Sequence, residues 1–152
     1  MNSKNGQVSE DGVAFRKTAK GSWNCATTGS VGWTAGVHEW TVSLDKFADR
    51  VSVGIALGEI DSVNLESNFR YDVYCGTGFA IRPDGTDCKC FSGAMEDGNE
   101  MMVRLDMDNH TLTFGRNGRW NRKPTFFGLK DGRWFPYFVF EKKEAAISIK
   151  KQ

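Results

Sequence analysis

The side chains best suited to catalysis or metal binding in this chain are two histidines and four cysteines. His38 alternates with Trp40 and so shares an apolar strand face with it, where a packed, hydrogen-bonded ring is the expected role. His110 stands at a hairpin turn, and two histidines so placed form no acid–base or metal pattern. Cys88 and Cys90 project the same way from a strand with one residue between them, whereas zinc sites prefer two to four. Asp106-Met107-Asp108-Asn109 begins like a calcium loop. The glycine required at its sixth position is Thr111 and the glutamate required at its twelfth is Asn117. Thr28-Gly29-Ser30-Val31-Gly32 lacks the first glycine and the strand-to-helix setting of a nucleophile elbow. Gly76-Thr77-Gly78 has Ile81 where a dinucleotide fingerprint needs its third glycine. No nucleophile–base–orienter set emerges, so the expectation is a protein that is not an enzyme, with no metal and no cofactor.

The elements that would position a site are short strands. Met101, Val103, Leu105 and Met107 are apolar, while Arg104, Asp106 and Asp108 between them are charged, the period of a strand with one wet face. Asp108-Asn109 suits a two-residue turn. That turn sets Leu105 opposite Leu112 and Val103 opposite Phe114, which puts the apolar residues of both arms on one face. Asn117-Gly118 offers the next turn. His38, Trp40, Val42 and Leu44 alternate in the same way, as do Val51, Val53, Ile55 and Leu57. The small residues Ser52, Gly54 and Ala56 on the other face of that last strand admit a close neighbour. Trp134 to Phe140 and Ala145 to Ile149 complete the pattern, and no long 3.6-residue period appears. About a dozen short strands predict an all-β, two-sheet antiparallel sandwich that needs both layers to bury its faces.

At 152 residues the chain fits one domain, with residues 1–11 a disordered lead-in and residues 12–150 folded. The polar start lacks the apolar stretch of a signal peptide, and no run is long enough to span a bilayer. An intracellular, reducing location with free thiols is the expectation. A formal net charge of +1 gives no electrostatic footprint of a nucleic-acid binder. Residues 58–68, GEIDSVNLESN, form the longest candidate loop and the first place to look for function.

The order of motifs adds a resemblance. Gly-Val-His-Glu-Trp (36–40), Arg-Val-Ser-Val-Gly-Ile-Ala (50–56), Leu-Asp-Met-Asp-Asn-His-Thr-Leu-Thr-Phe-Gly-Arg-Asn-Gly (105–118) and Phe-Phe-Gly-Leu-Lys-Asp-Gly-Arg-Trp-Phe-Pro-Tyr-Phe (126–138) together resemble a SPRY domain, the core of the B30.2 module. The resemblance spans roughly residues 12–150. It implies a concanavalin-like, jelly-roll sandwich that is not catalytic. Loops at one end of such a sandwich recognise a protein or short peptide, as part of a scaffold or substrate-recognition unit.

By the same resemblance, the peptide site of SPRY proteins linked to a SOCS box falls on four segments. These are Lys17 to Gly21 (with Ala19), Leu57-Gly58, Tyr71 and Phe140-Glu141. Leu65 and Phe69 are added as apolar anchors. The family's late Trp-Gly pair is replaced by Phe140-Glu141, and Lys20-Gly21 departs from the adaptor loop, so the location of the site carries over and its peptide specificity does not. The expected partner is a protein segment met by a monomeric domain, with no membrane and no direct nucleic-acid contact. The alternatives are a ribonucleoprotein-associated module or a sandwich that binds a small molecule or carbohydrate.

Overall fold

The hairpin at residues 100–120 forms in the register its alternation demands, with Leu105 opposite Leu112 and Val103 opposite Phe114. Its connection is longer than the two residues expected. Pairing stops at Asp106↔Thr111, because the Met107 N–H turns away to donate to Gly36 O at 2.9 Å. The Asp106 carboxylate then accepts the Asn109 N–H at 2.9 Å, and His110 takes the positive φ of 54° that closes the turn.

The structure is a computed structural model that describes residues 6–8, 14–18, 25–58, 61–62 and 69–150. In chain order its strands are β1 (Gly6–Val8), β2 (Ala14–Lys17), β3 (Cys25–Thr28), β4 (Val37–Lys46), β5 (Val51–Leu57), β6 (Asp61–Ser62), β7 (Arg70–Tyr74), β8 (Phe79–Ile81), β9 (Asp87–Lys89), β10 (Glu100–Asp106), β11 (Thr111–Arg116), β12 (Arg119–Trp120), β13 (Phe126–Phe127), β14 (Trp134–Phe140) and β15 (Ala146–Ile149). One sheet has the order β1-β2-β15-β4-β10-β11-β12, with β13 also on β11. The other has the order β6-β3-β14-β5-β7-β8-β9. Their pairings are antiparallel. The two-sheet antiparallel sandwich read from the sequence is therefore the observed fold. Two short strands fall where none was expected: β1 lies inside the lead-in and pairs Val8 with Phe15, and β6 lies inside the long loop and pairs with β3.

The core lies between the inward faces. Trp40, Val42 and Leu44 of β4 and Val103 and Leu105 of β10 meet Val51, Val53 and Ile55 of β5 and Phe138 and Phe140 of β14, all of them buried. β14 is buried along its whole length because β3 and β5 flank it. Pro136 survives in this central strand for a local reason. Its carbonyl accepts from Gly29 N at 2.9 Å, so its donorless nitrogen faces the segment where β3 has ended. The small face of β5 also meets its expectation. A Cβ on Gly54 would lie 1.9 Å from Tyr71 O and 2.5 Å from Asp72 Cα, so β7 can approach only a glycine. A second, smaller apolar group, Ala26, Ala56, Tyr137 and Val139, packs apart from the main core.

Candidate binding site at one rim of the sandwich

Each end of the sandwich is a rim of loops, and β14 connects the two. At its start Trp134 pairs with Leu57, and at its finish Phe140 pairs with Val51. Six residue steps at about 3.3 Å separate the ends by roughly 20 Å. This geometry divides the expected site residues. Leu57, Gly58, Phe69 and Tyr71 converge on the Trp134 rim, whereas Lys17, Phe140 and Glu141 lie at the opposite one. Ala19, Gly21 and Leu65 lie outside the described residues. Phe140 is fully buried, its ring 4.7 Å from that of Phe15, and so belongs to the core rather than to a contact surface. Lys17 is fully buried as well. Glu141 accepts the Tyr74 hydroxyl at 2.8 Å. Burial first, and then that carboxylate, raises the Tyr74 pKa.

The Trp134 rim is built from three strand ends held together by backbone bonds. Leu57 N donates to Phe69 O at 2.9 Å, and Gly58 N donates to Arg133 O at 3.1 Å, which ties the β5, β7 and β13–β14 segments together. Gly58 has φ +93°, and nothing stands within 4 Å of where its Cβ would be. Gly132 has φ +147°, a backbone conformation that favours glycine, and lies over the Leu57 side chain, with a Cβ there 2.5 Å from Leu57 Cδ1. The β8–β9 turn is locked from within. Asp84 accepts the Thr86 hydroxyl at 2.6 Å and the Thr86 N–H at 2.9 Å, and these bonds lower its pKa.

Phe69, Tyr71, Arg82, Pro83 and Asp84 line an open hollow of about 370 Å³. Beneath it lies an aromatic cluster: Tyr71 stands 4.7 Å from Phe126 and 5.8 Å from Trp134, and Phe69 stands 6.1 Å from Trp134. Two cations sit over these rings. Lys130 Nζ lies 3.9 Å from the Phe69 centroid and the Arg82 guanidinium 5.4 Å from that of Phe126. Burial raises the Tyr71 pKa, with Arg82 opposing it, so the phenol remains a neutral donor at physiological pH.

A second hollow, of about 200 Å³, opens on the same rim between Gly29, Ser30, Val31, Trp33, Trp40, Pro136 and Ile149. Trp33 is fixed there by a two-way backbone bridge to Trp134, with both N–H···O distances 2.9 Å. Its ring stacks on His38 at 4.5 Å and on Trp40 at 5.4 Å. Trp40 is core, as its strand face predicts, and Trp33 is partly buried against the core.

Arg82, Pro83, Lys130 and Trp134 were not among the residues expected at the site. Sequence marks 82–85 and 130–132 as turns by their chemistry, but their convergence on Tyr71 follows from the strand order β14-β5-β7-β8, which no local signal carries. The histidines do not meet. His38 stacks on Trp33, and His110 pairs with Asp131 at 2.8 Å. Among the described residues, no group of three or more His, Cys, Asp or Glu side chains is placed to hold a metal, and no helix is long and apolar enough to cross a membrane.

Solved structures with this architecture identify the fold. The chain superposes on the SPRY domain of human HERC1 with a TM-score of 0.79 and 16% identity, over 98% of this chain and 94% of that one. The fold is that of a SPRY domain. The PSpry domain of TRIM65 agrees, with a TM-score of 0.74 and 14% identity over 98% of this chain and 87% of the other. No family model matches the sequence. In this chain an open, aromatic-floored hollow lies at the rim where β14 begins.

Proposed function

We propose that this SPRY domain is a non-catalytic, monomeric protein-interaction module that docks a short peptide or protein surface at the Trp134 rim. Its role would be substrate recognition or scaffolding within a reducing, intracellular setting. The observation that carries this reading is the 370 Å³ hollow lined by Phe69, Tyr71, Arg82, Pro83 and Asp84. The hollow combines an apolar floor with a few convergent polar groups, the usual composition of a recognition site. The supporting loops are bonded to one another and to strand ends, so little ordering cost attends binding. The free thiols of Cys75, Cys88 and Cys90 suit a reducing compartment. Burial raises the Cys90 thiol to about 11, which keeps it protonated and unreactive.

The test is affinity capture from native lysate with the Phe69→Ala, Pro83→Ala double variant, alongside its thermal unfolding midpoint. Loss of the captured proteins with an unchanged midpoint is the expected result. An unchanged set of captured proteins overturns the reading.

A further inference from the structure

The two hollows share a rim, and their chemistry differs. The larger one is flanked by cations. Arg82 and Lys130 lie over aromatic rings and make no ion pair among the described residues. Arg133 is exposed between the hollows, and its guanidinium donates to Gly32 O at 3.1 Å. The nearby described carboxylates are held in place by their own contacts: Asp84 accepts from Thr86, and Asp131 lies 2.8 Å from His110. Asp84 lines the hollow beside Arg82 and offsets part of its charge. Among the described residues the three cations Arg82, Lys130 and Arg133 therefore face the two carboxylates Asp84 and Asp131, a surplus of one positive charge beside apolar surface. The smaller hollow, by contrast, is walled by Trp33, Trp40, Val31 and Pro136 and carries no charged side chain.

Their spacing is set by the sheet. The smaller hollow lies by β3 and β14, the larger by β7 and β8, in the strand order β3-β14-β5-β7-β8. Three strand-to-strand steps of about 4.8 Å come to roughly 14 Å, which an extended peptide covers in about four residues. We infer that the occupant of this rim is an extended peptide that sets a carboxylate between Arg82 and Lys130 and, about four residues along, an aliphatic or proline side chain against Trp33 and Val31. This rests on the proposed function and adds the partner's chemistry to it. Among the described residues neither Arg82 nor Lys130 makes an ion pair that an incoming carboxylate would have to break. The apolar side chain gains indole and proline surface that water wets poorly.

The experiment selects a random nine-residue peptide library, displayed on phage, against the whole chain. The winners are then measured as fluorescein-labelled synthetic peptides by fluorescence anisotropy. The expected winners carry Asp or Glu three to five residues from Leu, Ile, Val or Pro. Lys130→Glu and Arg82→Glu should each weaken them tenfold or more, and Val31→Glu should do so for peptides whose apolar anchor is intact. Val31 is 61% exposed, so that last change tests contact rather than folding. Winners without an acidic residue, or binding indifferent to both charge reversals, overturn the inference. If Phe69→Ala, Pro83→Ala still abolishes protein capture in that case, the proposed function stands without it. A concentration-dependent dimer broken by Lys130→Glu would put a second copy of the chain on this rim and overturn the peptide assignment.

Discussion

The two ends of β14 carry the same kind of side chain to different ends. At its finish, Phe140 is fully buried against Phe15. The Lys142 ammonium lies 4.1 Å and the Lys46 ammonium 5.4 Å from the centroid of the Phe47 ring, and Glu141 is tied to Tyr74. Among the described residues, these side chains of that rim are taken up by one another. At its start, Trp134 is equally buried, but the rings above it, Phe69 and Tyr71, leave a hollow open beside Arg82 and Lys130. One strand therefore carries a buried ring of the core at one end and floors an open hollow at the other. Aromatic content does not separate the two; what separates them is whether neighbouring loops occupy the space above the rings.

The largest expected effect breaks the comparison at its closed end. Phe140→Ala should destabilise the domain by about 3–5 kcal/mol in denaturant unfolding, as deletion of a buried aromatic does. The fraction still folded should capture partners normally. A loss below about 1 kcal/mol would mean that this rim is not closed.

A smaller effect probes the outer side of β7, between the two rims. Asp72 is 3% exposed, and Arg70 Nε lies 3.4 Å from its Oδ1. Burial raises its carboxyl from 3.8 to about 6, against the pull of Arg70 and a hydrogen bond from Ser52. With the folded value above the unfolded one, the folded chain holds the extra proton between those limits. The ionised carboxylate therefore weighs on the fold above about pH 6, and the burden lifts as pH falls toward 4. Asp72→Asn should gain stability relative to the parent as pH rises through this window, by up to roughly 3 kcal/mol. Parallel pH profiles for the two proteins would show that burial does not govern this group.

The smallest effect sharpens the closed rim again. Tyr74→Phe removes the hydroxyl that Glu141 accepts and should cost about 1 kcal/mol. Partner capture should not change. A capture defect would move the contact surface to the wrong end.

The sequence showed the strands more clearly than the site. The period of two in residues 101–107 and 111–114 sets both the hairpin register and its buried face, because a hairpin is local and a one-residue slip would invert it. β1 escaped notice because Gly6-Gln7-Val8 has no alternation to read and forms a strand only by pairing with β2. Trp134 and Phe140 lie in one apolar run, and nothing local distinguishes the end that lies under open loops from the end that is covered. Phe140-Glu141 was placed in the site by resemblance alone, and its burial follows from pairing with Val51 on one side and Cys25 on the other. Arg82 and Lys130 stand in turns, and only the strand order brings both to the same aromatic cluster.

Two phenylalanines of similar exposure mark the opposite rims: Phe69 at 36%, before β7, and Phe79 at 40%, where β8 pairs with Tyr74 at the far end of β7. The decisive measurement is quantitative partner capture by Phe69→Ala and Phe79→Ala side by side, each corrected for folded fraction. The account predicts that capture falls tenfold or more for Phe69→Ala and holds at the parent level for Phe79→Ala. The reverse order, or equal losses, would contradict it.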